Sequence, residues 1–250
     1  MSKWHAVTMS EFHMQLRRIA PWLSMLILFG LYLWDSYPGT SNLARLSELN
    51  NHYYVAQRTS ELFGEFFVII AAVLTSDRIL RDRNLRVAEI IMSSPLSRFS
   101  YITGKYAGNV LALLLVCFVF NTCVALTQAF FNPEPFIVTP YAEAFLLIFL
   151  PSVLFAVGLS MAGSTILGSA KGFSALFLVY AVFCLTKFYN SYETPFYQLV
   201  ADAPKLIFYS GRPENLPYQS AYMNLMFLFL AGPIAVALLI LIKYRKGRAV

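Results

Sequence analysis

Apolar runs that read as membrane spans follow one another along this chain, each separated from the next by a segment that is charged or broken by proline. A membrane-spanning helix needs about 20 mostly apolar residues to cross a hydrocarbon layer ~30 Å thick. Six runs qualify or come near: residues 19–34, 62–76, 106–131, 144–167, 173–189 and 221–242. The predicted fold is therefore an all-α integral membrane protein, with residues 1–250 forming one transmembrane domain. The first run is short, since its 16 residues rise only about 24 Å, so either Arg17 and Arg18 reach back to the interface or the helix continues through Asp35.

Composition agrees with that reading. A chain that is 58% hydrophobic and only 13% charged lacks the polar surface of a soluble domain, whose charged fraction is about 25%. The net charge of +6 is no sign of a nucleic-acid partner, because the basic residues gather at span ends rather than on a soluble module. Cys117, Cys123 and Cys184 sit inside apolar runs, odd in number and without ligand spacing, so they predict neither a disulfide framework nor a metal site. No small-residue cleavage site follows the first run, so a cleaved signal peptide is not expected.

Charge also sets the orientation. With both ends in the cytoplasm, fourteen of the 19 Lys and Arg residues fall inside and five outside (Arg45, Arg58, Lys187, Lys205 and Arg212), the bias that cytoplasmic loops carry. Before the first span, Val7, Met9, Phe12, Leu16 and Ile19 recur at helical spacing among polar residues, which predicts an interfacial helix on the cytoplasmic surface with a wet face. Between spans five and six, apolar stretches alternate with Pro195, Pro204, Pro213 and Pro217; the segment is either a pair of short helices re-entering the outer leaflet or a folded outer loop with buried aromatics. Pro151 is expected to kink the fourth span, whose Gly158 and Gly163 admit close helix approach.

The long basic segment 77–105 is the most informative part of the chain. Arg78, Arg81, Arg83, Arg86, Arg98 and Lys105 place it in the cytoplasm. Within it, residues 84–93 read as a short amphipathic helix capped by Asp82 or Asn84, with Leu85, Ala88 and Met92 on one face and Arg86 and Glu89 on another. Pro95 ends that helix before the chain returns to the membrane. The order Glu89, Ser94-Pro95-Leu96-Ser97-Arg98, Gly104-Lys105 and then a hydrophobic helix resembles the permease subunits of type-2 ATP-binding-cassette (ABC) exporters. That resemblance implies a coupling helix between spans two and three, with Leu85, Arg86, Ala88, Glu89, Met92, Pro95, Arg98, Gly104 and Lys105 as the segment that docks a separate ATPase subunit. It further implies a second permease chain, identical or similar, a plasma-membrane location among membrane lipid, and short outer helices between spans five and six.

The chain itself holds no catalytic constellation. Gly104-Lys105-Tyr106 lacks the upstream glycine and the hydroxyl residue of a phosphate-binding loop, and His5, His13 and His52 have no metal-ligand spacing. No cofactor is expected on this chain; ATP and Mg belong on the partner ATPase. Inside the spans, Glu65, Asn121 and Thr122 are the polar residues that a translocation path would use. Glu65 either faces such a path or reaches headgroups from the outer end of its span, and Asn121 and Thr122 either line the path or bond between helices. The expected activity is transport driven by a partner's ATP hydrolysis. An ion-driven transporter would need paired broken spans or several midplane charges, and a membrane enzyme would need converging carboxylates, His or Arg.

Overall fold

The computed structural model describes residues 3–36, 52–85, 96–132, 135–179 and 218–246, and every regular element among them is helical. Helix α1 spans Lys3–Leu16, α2 Ile19–Ser36, α3 His52–Thr75, α4 Arg78–Asn84 and α5 Arg98–Phe131. Helix α6, Thr139–Ala144, runs through a π-helical turn, Phe145–Phe149, into α7, Leu150–Leu167. Helix α8 covers Ala170–Val179 and α9 Tyr218–Lys246. Among the described residues, four stretches are long and apolar enough to cross a membrane: Ile19–Ser36, Arg98–Phe131, Thr139–Leu167 and Leu225–Ile242. The chain is thus a helical protein with the makings of a membrane domain.

Several boundaries differ from the sequence reading. Helix α2 does continue past Trp34, to Ser36, lengthening the short first run. Helix α3 begins ten residues before the predicted span at 62, because the polar stretch ahead of it buries His52, Val55, Ala56, Thr59 and Ser60 against the protein instead of looping through water. Its early residues Arg58, Glu61 and Glu65 keep it out of the strictly apolar class. A short helix, α4, ends at Asn84, and residues 86–95, which hold nearly all of the helix predicted at 84–93, lie outside the described residues, as do 180–217, where short re-entrant helices or a folded outer loop are expected.

The expected irregularity at Pro151 takes the form of the π turn. Proline has no N–H to donate and its ring crowds the preceding turn, and here one wide turn directly before it absorbs the mismatch. Gly168, at φ 69°, then ends α7 in the left-handed conformation.

The core is aromatic and lies where α3, α5 and α7 meet. Phe120 packs between Phe63 and Phe67 of α3 at ring distances of 5.4 and 5.2 Å, and Phe149 closes on Phe67 at 5.6 Å. These rings are almost wholly buried, and tilted and edge-to-face pairs of this kind add about 0.5–1.5 kcal/mol each beyond their area. Polar links pin these helices and add α2: Thr75 to Ser160 at 2.6 Å, Gln128 to the Tyr32 hydroxyl of α2 at 2.9 Å, and the Tyr106 hydroxyl to the Leu154 carbonyl at 3.1 Å. At the crossing of α7 and α9, Gly158 and Gly232 touch backbone to backbone, so that a methyl on either would run into the other helix's main chain.

The outward faces of α2, α5 and α9 carry the opposite chemistry. Ile19, Leu23, Leu26, Ile27, Phe118 and Leu126, with Leu230, Ile234 and Leu238 of α9, are all exposed. An apolar exterior around a packed interior is what a lipid solvent selects.

Candidate functional site

Helix α5 holds the site because it is too long for a membrane. Its 34 residues rise about 51 Å, well beyond a hydrocarbon core of ~30 Å. The excess is taken up at its start, where Ser97 caps the helix by accepting the Ser100 N–H at 3.1 Å. Helix α1 lies along this first part. Its approach is set by Gly104 and Gly108, one turn apart. A Cβ on Gly108 would come within 2.5 Å of the Thr8 carbonyl oxygen and 2.7 Å of the Glu11 Cβ, and one on Gly104 within 3.0 Å of Val7.

The buried edge of α1 is polar. Thr8, Glu11 and Gln15 are at most 3% exposed, whereas Trp4, Met9 and Met14 face outward at 36% or more. The side expected to be wet therefore divides: Glu11 and Gln15 turn into the protein while His13 and Arg17 stay exposed, and of the expected apolar residues Val7, Phe12 and Leu16 are half-buried and Met9 is exposed. A buried carboxylate needs a cationic partner.

That partner is Lys105. Its ammonium lies 2.6 Å from Glu11 Oε1 and 2.6 Å from Asp82 Oδ2, donates to the Arg78 carbonyl at 3.3 Å, and sits 5.3 Å over the Tyr101 ring. The Tyr101 hydroxyl donates to Asp82, and the Asn109 amide donates to Glu11 Oε2 at 3.4 Å. Arg78 completes the group, with Nη1 at 3.9 Å from Glu11 Oε2 and Nε at 3.9 Å from Asp77 Oδ1. The side chains of Lys105, Glu11 and Arg78 are 3%, 4% and 3% exposed. Burial pushes the Arg78 guanidinium down to about 10, with Arg18 adding repulsion, so it keeps its charge at neutral pH. Glu11, Asp82, Arg78 and Lys105 cancel in charge, which is the condition for holding four ions away from water.

The cluster joins three helices on the two sides of residues 86–95. Helix α4 supplies Arg78 and Asp82 and is followed by Leu85, which is 60% exposed; α5 supplies Tyr101, Lys105 and Asn109 and starts at Arg98; α1 supplies Glu11. Asp82, read from sequence as a helix cap, instead lies inside α4 and turns back onto α5. Gly104 and Lys105 sit on the second turn of a continuous helix, so the chain enters α5 at Arg98 and not at Gly104. Arg86, Ala88, Glu89, Met92 and Pro95 lie outside the described residues.

The intramembrane polar residues are dispersed. Glu65 is half-buried near the middle of α3. Asn121 is buried and donates to the Tyr141 carbonyl at 3.0 Å, bridging α5 to α6, while Thr122 returns its hydroxyl to the Phe118 carbonyl of its own helix at 2.8 Å. His52, not singled out from the sequence, is 1% exposed and meets the Tyr141 hydroxyl at 3.1 Å. No group of three His, Cys, Asp or Glu among the described residues could hold a metal ion.

The partnership of Glu11 with Lys105 left no mark in the sequence, because the two are far apart along the chain and each looks like an ordinary membrane-edge charge. The only local signal was Gly104-x-x-x-Gly108, small residues one turn apart at the start of an apolar helix. No family model and no curated protein matches this chain.

Proposed function

We propose that the chain is the membrane subunit of an ATP-driven exporter, crossing the bilayer six times with both ends in the cytoplasm and coupled to a separate ATPase through residues 84–105. The observation that carries this reading is the buried charge cluster of Glu11, Arg78, Asp82 and Lys105. A surface segment can move a membrane domain only if the force it receives reaches the spanning helices. Residues 86–95 are bracketed by α4 and α5, and the cluster ties both brackets to each other and to α1. Two carboxylates held 2.6 Å from one buried ammonium make a stiff joint, since separating them leaves that charge unpaired. A push on the segment is then delivered to the long helix α5, which runs on into the aromatic core through Phe120.

The sequence supplies the other half of the reading. The Glu89 to Lys105 pattern resembles the coupling region of type-2 ABC permeases, and the chain has no phosphate-binding loop of its own. Leu85, Ala88 and Met92 form the face that enters the ATPase, with Arg86 and Glu89 fixing its orientation. A second permease chain completes the translocation path.

The test replaces Ala88 with Arg and Glu89 with Lys in the full chain and measures ATPase co-purification and transport-linked hydrolysis at equal membrane levels. Loss of either quantity is expected. Wild-type values for both variants would reduce the segment to an ordinary basic connector.

A further inference from the structure

A cavity of about 530 Å³ opens between α1, α4 and the start of α5. Val7, Ser10 and Met14 of α1 form one wall, and Leu85 and Leu96, the described residues on either side of 86–95, form another. The charges at its floor are already engaged with one another, Lys105 with Glu11 and Asp82, and Arg78 with Glu11 and Asp77. The floor therefore offers no charge to an occupant, and what the walls can bind is apolar. Arg81, exposed on α4, also lines the cavity and stands outside those pairs.

Acyl chains do not reach this place. Beyond Phe99 at its very start, the exposed large apolar residues of α5 run from Leu111 through Leu115, Phe118 and Leu126 to Phe131, a rise of about 30 Å that matches the hydrocarbon core. Lys105 and Tyr101, at the cavity, precede Leu111 by about 9 and 15 Å along the same helix. Helix α1 runs beside α5 in the same direction, since Val7 meets Gly104 and Phe12 meets Gly108, so its early residues stand clear of the hydrocarbon too. The cavity thus faces the aqueous side, and Leu85 on its wall also belongs to the face proposed above to enter the ATPase. The exposed charges of α4, Arg81 and Arg83, are both basic. An apolar socket edged by an exposed cation fits a protein anchor, an aromatic or long aliphatic side chain with a carboxylate beside it.

We propose that this cavity is a socket for the partner ATPase, which inserts an aromatic or long aliphatic side chain between α1 and Leu85 and sets a neighbouring carboxylate against Arg81. Helix α1 thereby becomes part of the docking surface, beyond the segment marked out in the sequence. The inference rests on the reading that an ATPase docks at residues 84–105, and it adds where the anchor of that contact sits.

The complex would be extracted from its own membrane in a mild detergent through a tag on the full chain, and its soluble subunit and ATP hydrolysis quantified. Ser10→Phe, at an exposed position that takes no part in the charge cluster, fills the cavity and should lower both about tenfold. Arg81→Gln should lower both about three- to fivefold. A photo-crosslinking residue at Ser10 should capture that same hydrolytic subunit, and one at Met9, exposed but off the cavity, should not. Should Ser10→Phe unfold early, the crosslinks decide alone. The inference is overturned if Glu89→Lys releases the subunit while either substitution here retains it in full, a result that leaves the proposed function standing, or if the Ser10 crosslink captures only lipid or a second copy of the chain. A wild-type chain that carries no ATPase overturns the function and the socket together.

Discussion

Replacing Lys105 with Met tests the charge cluster at its centre. Methionine matches the length and apolar stem of lysine, so the change removes little but the ammonium. What remains is Glu11, 4% exposed and 3.9 Å from Arg78, and Asp82, 17% exposed and still receiving the Tyr101 hydroxyl. Removing one partner of a buried pair costs about 3–5 kcal/mol. Because Asp82 is partly solvated and Glu11 keeps Asn109 and a distant Arg78, the low end, about 3 kcal/mol, applies here. Adding Glu11→Gln restores neutrality between Arg78 and Asp82 and should recover about 1–2 kcal/mol, a coupling within the range that neighbouring residues show. Unfolding would be followed in mixed micelles by tryptophan emission, since the Trp4 indole donates to Thr103 at 3.2 Å across the α1–α5 seam. A Lys105→Met variant as stable as wild type, or a double variant whose losses simply add, would refute the idea that these charges hold the helices together.

Three further outcomes are expected. Gly108→Leu should strip α1 from α5, because the side chain would collide with the Thr8 carbonyl and the backbone at Phe12, atoms that cannot turn aside; protease cleavage of the N-terminal helix in intact membranes should rise about tenfold or more, and an unchanged rate would count against the close approach. Asn121→Ala should lower stability by about 0.5–2 kcal/mol through loss of its bond to the Tyr141 carbonyl while transport continues; a transport defect at normal stability would assign Asn121 to the path. A reporter active only in the cytoplasm should work when fused at Met1, Asn84 or Val250 and fail at Asn51 or Ser210, and a cytoplasmic signal at Asn51 would remove the first span.

How far the sequence could be read depended on the range of the forces involved. Uncharged runs such as 106–131 and 221–242 declare themselves because lipid acts on each segment separately. Helix ends did not, as α3 and α5 show. Both extend through polar residues, His52 in one and Lys105 in the other, whose partners Tyr141, Glu11 and Asp82 stand elsewhere in the chain. Pro151 announced a disturbance whose form, a π turn, depended on the packing of Phe149 into the core. The burial of Glu11 and Gln15 on α1 was missed for a related reason. Polar residues at helical spacing look the same whether they face water or a buried lysine, and only the tertiary fold brings Lys105 to Glu11.

We propose that this membrane domain draws its energy from a separate ATPase docked at residues 84–105. It is tested most directly by extracting the full chain from its own membrane in a mild detergent and measuring ATP hydrolysis in the purified complex. A co-purifying soluble subunit with hydrolytic activity, both lost together when Glu89 is changed to Lys, is the predicted result. A wild-type chain that transports its substrate with no ATPase bound and no dependence on ATP would contradict it.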